Sequence, residues 1–241
     1  MDLPENIAKT IKNLKGNGFD PQLAQTSQEA REMILSMIPL TAKVGIADSV
    51  TLRQIGLLDE LAKRKYNVNN PFRPEMTKGI HDDPEKAKVF IAALRRTFQS
   101  DVLITSSNAV TEDGNLVSID GAGNRVAGII YGAPRVILAI GRNKIVRDTS
   151  AAIDRIKNVI APAHTSQKQY KTPCAKTGKC ADCNSRNRIC NVTVILEKQP
   201  YHTHISIVLI NEDVGLGWDP VWDRERIDRI RDNYIKGSWP F

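Results

Sequence analysis

Short apolar runs alternate with helical patterns along most of this chain, and that alternation restricts its fold more than any other feature. Residues 43–47, 101–105, 135–140 and 205–210 each read as a short buried strand. Helical segments lie between them. Residues 4–15 place Ile7, Ile11 and Leu14 on one face and end at Gly16-Asn17-Gly18. Thr26, with Glu29 three residues on, forms a capping box. Asp83, with Pro84 at the first helical position, opens a helix to about residue 98. This order predicts an α/β fold, a mostly parallel sheet covered by helices.

Other segments add to that frame. Val110-Thr111 and residues 116–119 flank Glu112-Asp113-Gly114-Asn115, which predicts an antiparallel hairpin. Further β-rich runs are expected at 126–131 and 192–197. A helix capped by Thr149 or Ser150 is expected to run to about residue 160, and a final charged helix to start at Asp219-Pro220. The 241 residues therefore read as a single domain, 1–241, with an inserted loop at 171–191 and a helical tail at 211–241.

Composition excludes several classes of function. No apolar run approaches the roughly 18 residues of a membrane span. The first residues carry early acid and no apolar stretch, so no secretory signal is read, and the chain is expected to be cytoplasmic with no membrane partner. Net charge is +7, but Lys and Arg are spread along the chain and aromatics are only 5%, which leaves little to stack on bases. No nucleic-acid partner is expected. A mild cationic excess suits small anionic ligands such as carboxylates or phosphates.

All four cysteines fall in one stretch, Cys174, Cys180, Cys183 and Cys190, spaced C-x5-C-x2-C-x6-C. Complete clustering of this kind points to a metal. Lys171, Lys176, Lys179, Arg186 and Arg188 surround the thiols and would favour their thiolates, and Gly178 gives the first segment freedom to turn. Zinc sites usually pair two C-x2-C knuckles across a long spacer, whereas ferredoxin-type loops are compact. The spacing leans to an iron–sulfur cluster, 4Fe-4S favoured, with zinc as the alternative.

A second constellation surrounds the hairpin. Glu112, Asn115, Asp120, Gly121, Gly123, Asn124 and Arg125 combine carboxylates, amides, close glycines and a guanidinium. Read as an anion pocket, the glycines admit a ligand to the backbone, Arg125 grips a carboxylate or phosphate, and Glu112 acts as base or nucleophile. Read structurally, the same residues make a glycine-rich turn with a surface arginine. Ser49 and Thr51 follow a strand and open a helix, where they hold an anion or cap the helix. The cysteines lie outside the hairpin, so a metal there is expected to stand apart from the ligand. His204, two residues after His202, is read first as a structural residue, and alternatively as an acid/base group or outside ligand. His81 and His164 are read as loop residues, and Trp218, Trp222 and Trp239 as packing anchors.

Residues 114–146 (GNLVSIDGAGNRVAGIIYGAPRVILAIGRNKIV) and Ser49 to Gly56 resemble the lactate-utilisation (LUD) domain family. Residues 171–197 (KTPCAKTGKCADCNSRNRICNVTVILE) resemble its cysteine-bearing branch. The resemblance implies a fold like that of the ribose-5-phosphate isomerase, glucosamine-6-phosphate deaminase and coenzyme A transferase group. It also implies a role in oxidising lactate to pyruvate beside separate iron–sulfur subunits, with a homo-oligomer left open. The substrate would then be a 2-hydroxy or 2-oxo acid, its carboxylate held by Arg125. The alternatives are a non-catalytic accessory or electron-transfer subunit, and a coenzyme A or sugar-phosphate transferase with Glu112 as nucleophile.

Overall fold

A computed structural model describes residues 4–80 and 82–238, and His81 and Trp239 lie outside them. The strands are β1 (Asp20–Ala24), β2 (Lys43–Ile46), β3 (Asn67–Asn69), β4 (Val102–Thr105), β5 (Ala109–Thr111), β6 (Leu116–Asp120), β7 (Arg135–Gly141), β8 (Ile145–Val146), β9 (Val192–Leu196) and β10 (His204–Ile210). The helices are α1 (Glu5–Gly16), α2 (Ser27–Ser36), α3 (Val50–Gln54), α4 (Leu57–Lys63), α5 (Pro74–Thr77), α6 (Pro84–Arg96), α7 (Asn124–Ala127), α8 (Thr149–Arg155), α9 (Ala161–Gln167), α10 (Pro173–Thr177) and α11 (Arg224–Gly237).

Six strands form a parallel sheet in the order β1-β10-β7-β4-β2-β3. Its strands read as continuous apolar runs because both faces are covered. Val44, Ile46, Val102, Ile104, Ile137, Ala139, Val208 and Ile210 pack on one side against α2, α3 and α4. Their alternates Leu103, Val136, Leu138, Ile140, Ile205, Ile207 and Leu209 pack on the other, against Ile7 and Leu14 of α1 and against Val110, Leu116 and Ile145. The α/β expectation holds.

The second sheet is mixed, in the order β8-β5-β6-β9. The hairpin is present, with Val110 opposite Leu116. β9 adds to its far side antiparallel, with Asp120 opposite Val192. That register brings the segment just before β9, which carries Cys190, beside the glycine turn just after β6.

Local chemistry explains most of the helix ends. Thr26 accepts from Glu29 N at 3.1 Å, and Glu29 reaches back to Gln25 N at 2.7 Å. Asp83 accepts from Glu85 N and Lys86 N ahead of Pro84. Gly178 closes α10 at φ +71°. Among the described residues, no helix is long and apolar enough to cross a membrane.

Three expectations are corrected. Residues 126–131, expected as β, are helical: α7 continues into a π turn over Gly128–Gly132. Gly128 and Gly132 bring bare backbone against Phe98, where an added Cβ would lie 3.5 Å and 2.7 Å from its ring. That packing overrides the β-branched local preference. The helix after β8 is capped by Asp148, which accepts from Ala151 N at 2.8 Å, rather than by Thr149 or Ser150. It also passes residue 160, because a π turn at Ile156–Ile160 accommodates the ring and missing N–H of Pro162 before α9 continues to Gln167. The last helix starts at Arg224, capped by Asp223, not at Asp219. Asp219 instead makes a turn by accepting from Val221 N. Asp148→Ala should cost about 1 kcal/mol, the usual worth of an N-cap, read from the urea midpoint.

Trp222 packs beneath the Arg226 guanidinium at 3.6 Å, and Trp218 packs at the edge of the cluster formed by Val117, Ile119, Ile156 and Tyr234.

Candidate functional site

A cavity of about 310 Å³ opens at the carboxyl ends of the parallel strands. The chain leaving β2 supplies Asp48, Ser49 and Thr51, and the chain leaving β4 supplies Ser106, Ser107 and Asn108. Lys144 follows β7, and Gly215 and Leu216 follow β10. The small sheet adds Asp120, Gly121, Asn124 and Arg125, and the long helix adds Ile156, Ile160 and His164.

Lys144 is buried in this lining, 5% exposed. Its Nζ donates to Ser106 Oγ at 2.8 Å, Thr51 Oγ1 at 3.0 Å and Ser107 O at 3.2 Å. Burial first, and then the charge of Arg125, push its pKa down to about 7. Neighbouring groups fix the chain around it. Arg155 donates to Asn143 O and Ile145 O, and Asn143 ties the loop at 214–217 through Val214 N and Gly217 O. That loop lies directly over Lys144: a Cβ on Gly215 would fall 2.6 Å from Lys144 Cε.

Arg125 lines the cavity but its donors point into the protein. Its guanidinium donates to Asn108 Oδ1 at 2.8 Å, Ile119 O at 2.9 Å, Ser106 O at 3.0 Å and Ser118 Oγ at 3.3 Å. It contributes positive charge to the cavity and cross-links its wall, in place of the expected two-pronged grip on a ligand. Asp120 accepts from Gly123 N and Val126 N and so caps α7. Gly123 has φ +82°. Gly121 admits protein backbone rather than ligand: a Cβ there would lie 3.1 Å from Ile189 Cα.

His164 and Tyr234 form a further part of the lining. His164, expected in a loop, sits in α9 with Nδ1 2.5 Å from Tyr234 OH. Burial, opposed by Asp48, lowers its pKa to about 4, so the ring is neutral near pH 7. Burial raises Tyr234 to about 12. Asp48 pairs with Arg53 Nη1 at 2.6 Å. Ser49 Oγ is buried and, among the described residues, has no hydrogen-bond partner.

The cysteine loop forms part of the cavity wall through Ile189 and Cys190, beside the glycine turn, which corrects the expectation that it stands apart. Asn191 N donates to Asp120 O and Asn191 Nδ2 to Gly121 O, both at 3.0 Å. The four thiols are free and half-buried. Burial raises the Cys190 thiol; Arg188 acts against this, and Cys180, Cys183 and Cys174 add to it. Arg188 also donates to Cys183 O, to Cys190 O at 3.2 Å and to Asp182 at 2.7 Å, gathering the second half of the loop. Among the described residues, no three His, Cys, Asp or Glu side chains are arranged to hold a metal ion. Four thiols in one loop beside the Arg188 guanidinium are the type of donor that a cluster or zinc takes.

Four candidate ligand-site residues, Glu112, Asn115, Gly123 and His204, and three of the four cysteines lie outside the cavity wall. Glu112 pairs with Lys9 at 2.9 Å at the edge of the small sheet. Asn115 holds the hairpin turn and donates to Thr149 Oγ1 at 3.3 Å. His204 begins β10, at the amino end of the sheet, half exposed and 3.9 Å from Asp20. The sequence reading missed Lys144, Ser106, Ser107 and Gly215. The Gly215-Leu216-Gly217 run after an apolar strand was the available signal for the last of these.

No curated protein matches the chain. Among solved structures, a DUF162 family protein from Deinococcus radiodurans aligns with a TM-score of 0.48 and 11% identity, covering 87% of this chain and 100% of that one. The LUD domain family model matches residues 7–210, most of the length, and on that match the protein belongs to the LUD domain family.

Proposed function

We propose that the cavity binds a small carboxylate of the 2-hydroxy or 2-oxo acid class, and that the four-cysteine loop at its wall holds an iron–sulfur cluster. The observation that carries the ligand reading is the meeting in one small cavity of Lys144 and Arg125 with the buried hydroxyl of Ser49, which has no partner among the described residues. A volume of about 310 Å³ suits a compact ligand, and of the two carboxylates that share the wall with these cations, Asp48 is already paired with Arg53 while Asp120 lies 3.8 Å from Arg125. Family membership supports a lactate-utilisation role, in which other iron–sulfur subunits are the natural partners.

Cys174, Cys180, Cys183 and Cys190 would hold the cluster, which when bound supplies one-electron redox chemistry. Cys190 lies in the cavity wall, so the cluster would sit close to the ligand. Protein purified without oxygen is expected to be coloured and to carry iron and sulfide, and Cys183→Ser to lose most of both. A colourless, iron-free protein holding one zinc per chain would replace the cluster by zinc. Titration calorimetry with pyruvate and lactate tests the ligand class, and absence of heat with both would overturn it.

A further inference from the structure

Lys144 is a buried amine with two hydroxyl neighbours that have different freedoms. Ser106 Oγ lies 2.6 Å from Ala139 O, to which it donates, so towards Lys144 it is an acceptor. Among the described residues, Thr51 Oγ1 has one partner, Lys144 Nζ. Its hydroxyl hydrogen is therefore uncommitted. When Lys144 is an ammonium, its three hydrogens meet Thr51, Ser106 and Ser107 O. When it is an amine, two hydrogens keep Ser106 and Ser107, and the lone pair lies on the Thr51 side, where the hydroxyl can turn its hydrogen towards it or away and so cover or uncover it. Both charge states are thus satisfied without moving the chain, which suits a group that gains and loses a proton in place.

We propose that Lys144 is the acid–base residue of this cavity: its Nζ takes a proton from the carbon beside the keto group of a small 2-oxo acid and returns it. This rests on the ligand class proposed above. The C–H electron pair moves into the bond with the keto carbon, the keto oxygen takes the charge as an enolate, and the amine becomes an ammonium. Return of the proton reverses each change, so no oxidant or reductant is consumed. Ser49 Oγ, which has no partner among the described residues, is the hydroxyl available to donate to the enolate oxygen. Arg125 places positive charge in the same wall. The charged and titratable groups that line the cavity with Lys144 are Arg125 from α7, Asp120 from the end of β6, Asp48 before α3, His164 from α9, Tyr170 after it, Cys190 before β9 and Tyr234 from α11. Of these Arg125 holds its pKa down after burial itself, so the free amine is well populated at neutral pH.

The test is deuterium exchange into the methyl group of saturating pyruvate in heavy water, followed by proton NMR, with binding measured in parallel by calorimetry on the full chain. Wild-type protein is expected to exceed the buffer blank by about 100-fold, the scale of one placed acid–base group. The rate should rise with pH and level off above about 7. Lys144→Met should fall to the blank, and Thr51→Val, isosteric but without the hydroxyl, should lose roughly tenfold, one hydrogen bond's worth. No binding of pyruvate would overturn the ligand class and this proposal together. Binding without exchange, exchange surviving in Lys144→Met, or an adduct on Lys144 trapped by borohydride would overturn the proton-transfer role alone. If Lys144→Met does not fold, a rate flat through pH 7, or unchanged in Thr51→Val, overturns it equally.

Discussion

Arg125→Leu should lower the stability of the ligand-free protein by about 3–5 kcal/mol, the range for breaking a buried charged network. The four groups that accept from its guanidinium belong to separate segments: Ser106 and Asn108 after β4, and Ser118 and Ile119 in β6. Leucine fills part of the volume but leaves the Ser106 and Ile119 carbonyls without this donor, each costing about 1–3 kcal/mol, while Asn108 Oδ1 keeps its bond from Ile119 N. For a chain of this size that is a melting-temperature drop of about 10 °C or more. Arg125→Lys keeps the charge but cannot fork to four acceptors, so most of the loss should remain. Thermal melts without ligand decide the matter. An arginine whose work is to grip a ligand carboxylate would leave the ligand-free melt unchanged.

The same residue illustrates how far sequence alone reaches. Arg125 is recognisable as a site residue because it follows a glycine turn on a hairpin, and both features are local. Its partners are not: Asn108 and Ser106 meet it only after β4 and β6 have found their places. The parallel sheet was legible for a local reason, since strands buried on both faces must be apolar at every position, as in residues 205–210. The caps at Thr26 and Asp83 were legible because each is a contact within three residues.

Lys144 was not legible. In Arg142-Asn143-Lys144 it looks like a solvated loop, and only its bond to Thr51, 93 residues away in sequence, shows it to be interior. Residues 126–131 mislead because their β-branched side chains carry a local preference, while Phe98 and two glycines decide the outcome. His164 was hidden behind Pro162, which ordinarily ends a helix and here is accommodated by a π turn. The cysteine loop's place at the cavity follows from the β6–β9 register, a long-range pairing that its spacing does not encode.

Gly215→Ala should damage the site more selectively than any side-chain truncation. Gly215 has φ +79°, where a Cβ costs about 1–2 kcal/mol by itself. The new methyl would also press on Thr51 Oγ1 and lie 2.6 Å and 2.7 Å from Lys144 Cε and Nζ. Thr51 cannot yield cheaply, being 1% exposed, and Lys144 cannot yield without breaking its bonds to Ser106 and Ser107. Overpacking of this kind adds about 1–3 kcal/mol, for a total of roughly 2–5. The urea midpoint should fall with an unchanged slope, since the damage is confined to one point of contact. Pyruvate methyl exchange should fall with it even where the protein remains folded, because the amine is displaced from its hydroxyl partners. Gly16→Ala is the matched control. Its Cβ meets nothing within 4 Å at the end of α1, and there alanine should gain about 0.5–1 kcal/mol and leave exchange untouched. Equal losses in the two variants would mean that a general sensitivity to added side chains, and not the contact over Lys144, governs this fold.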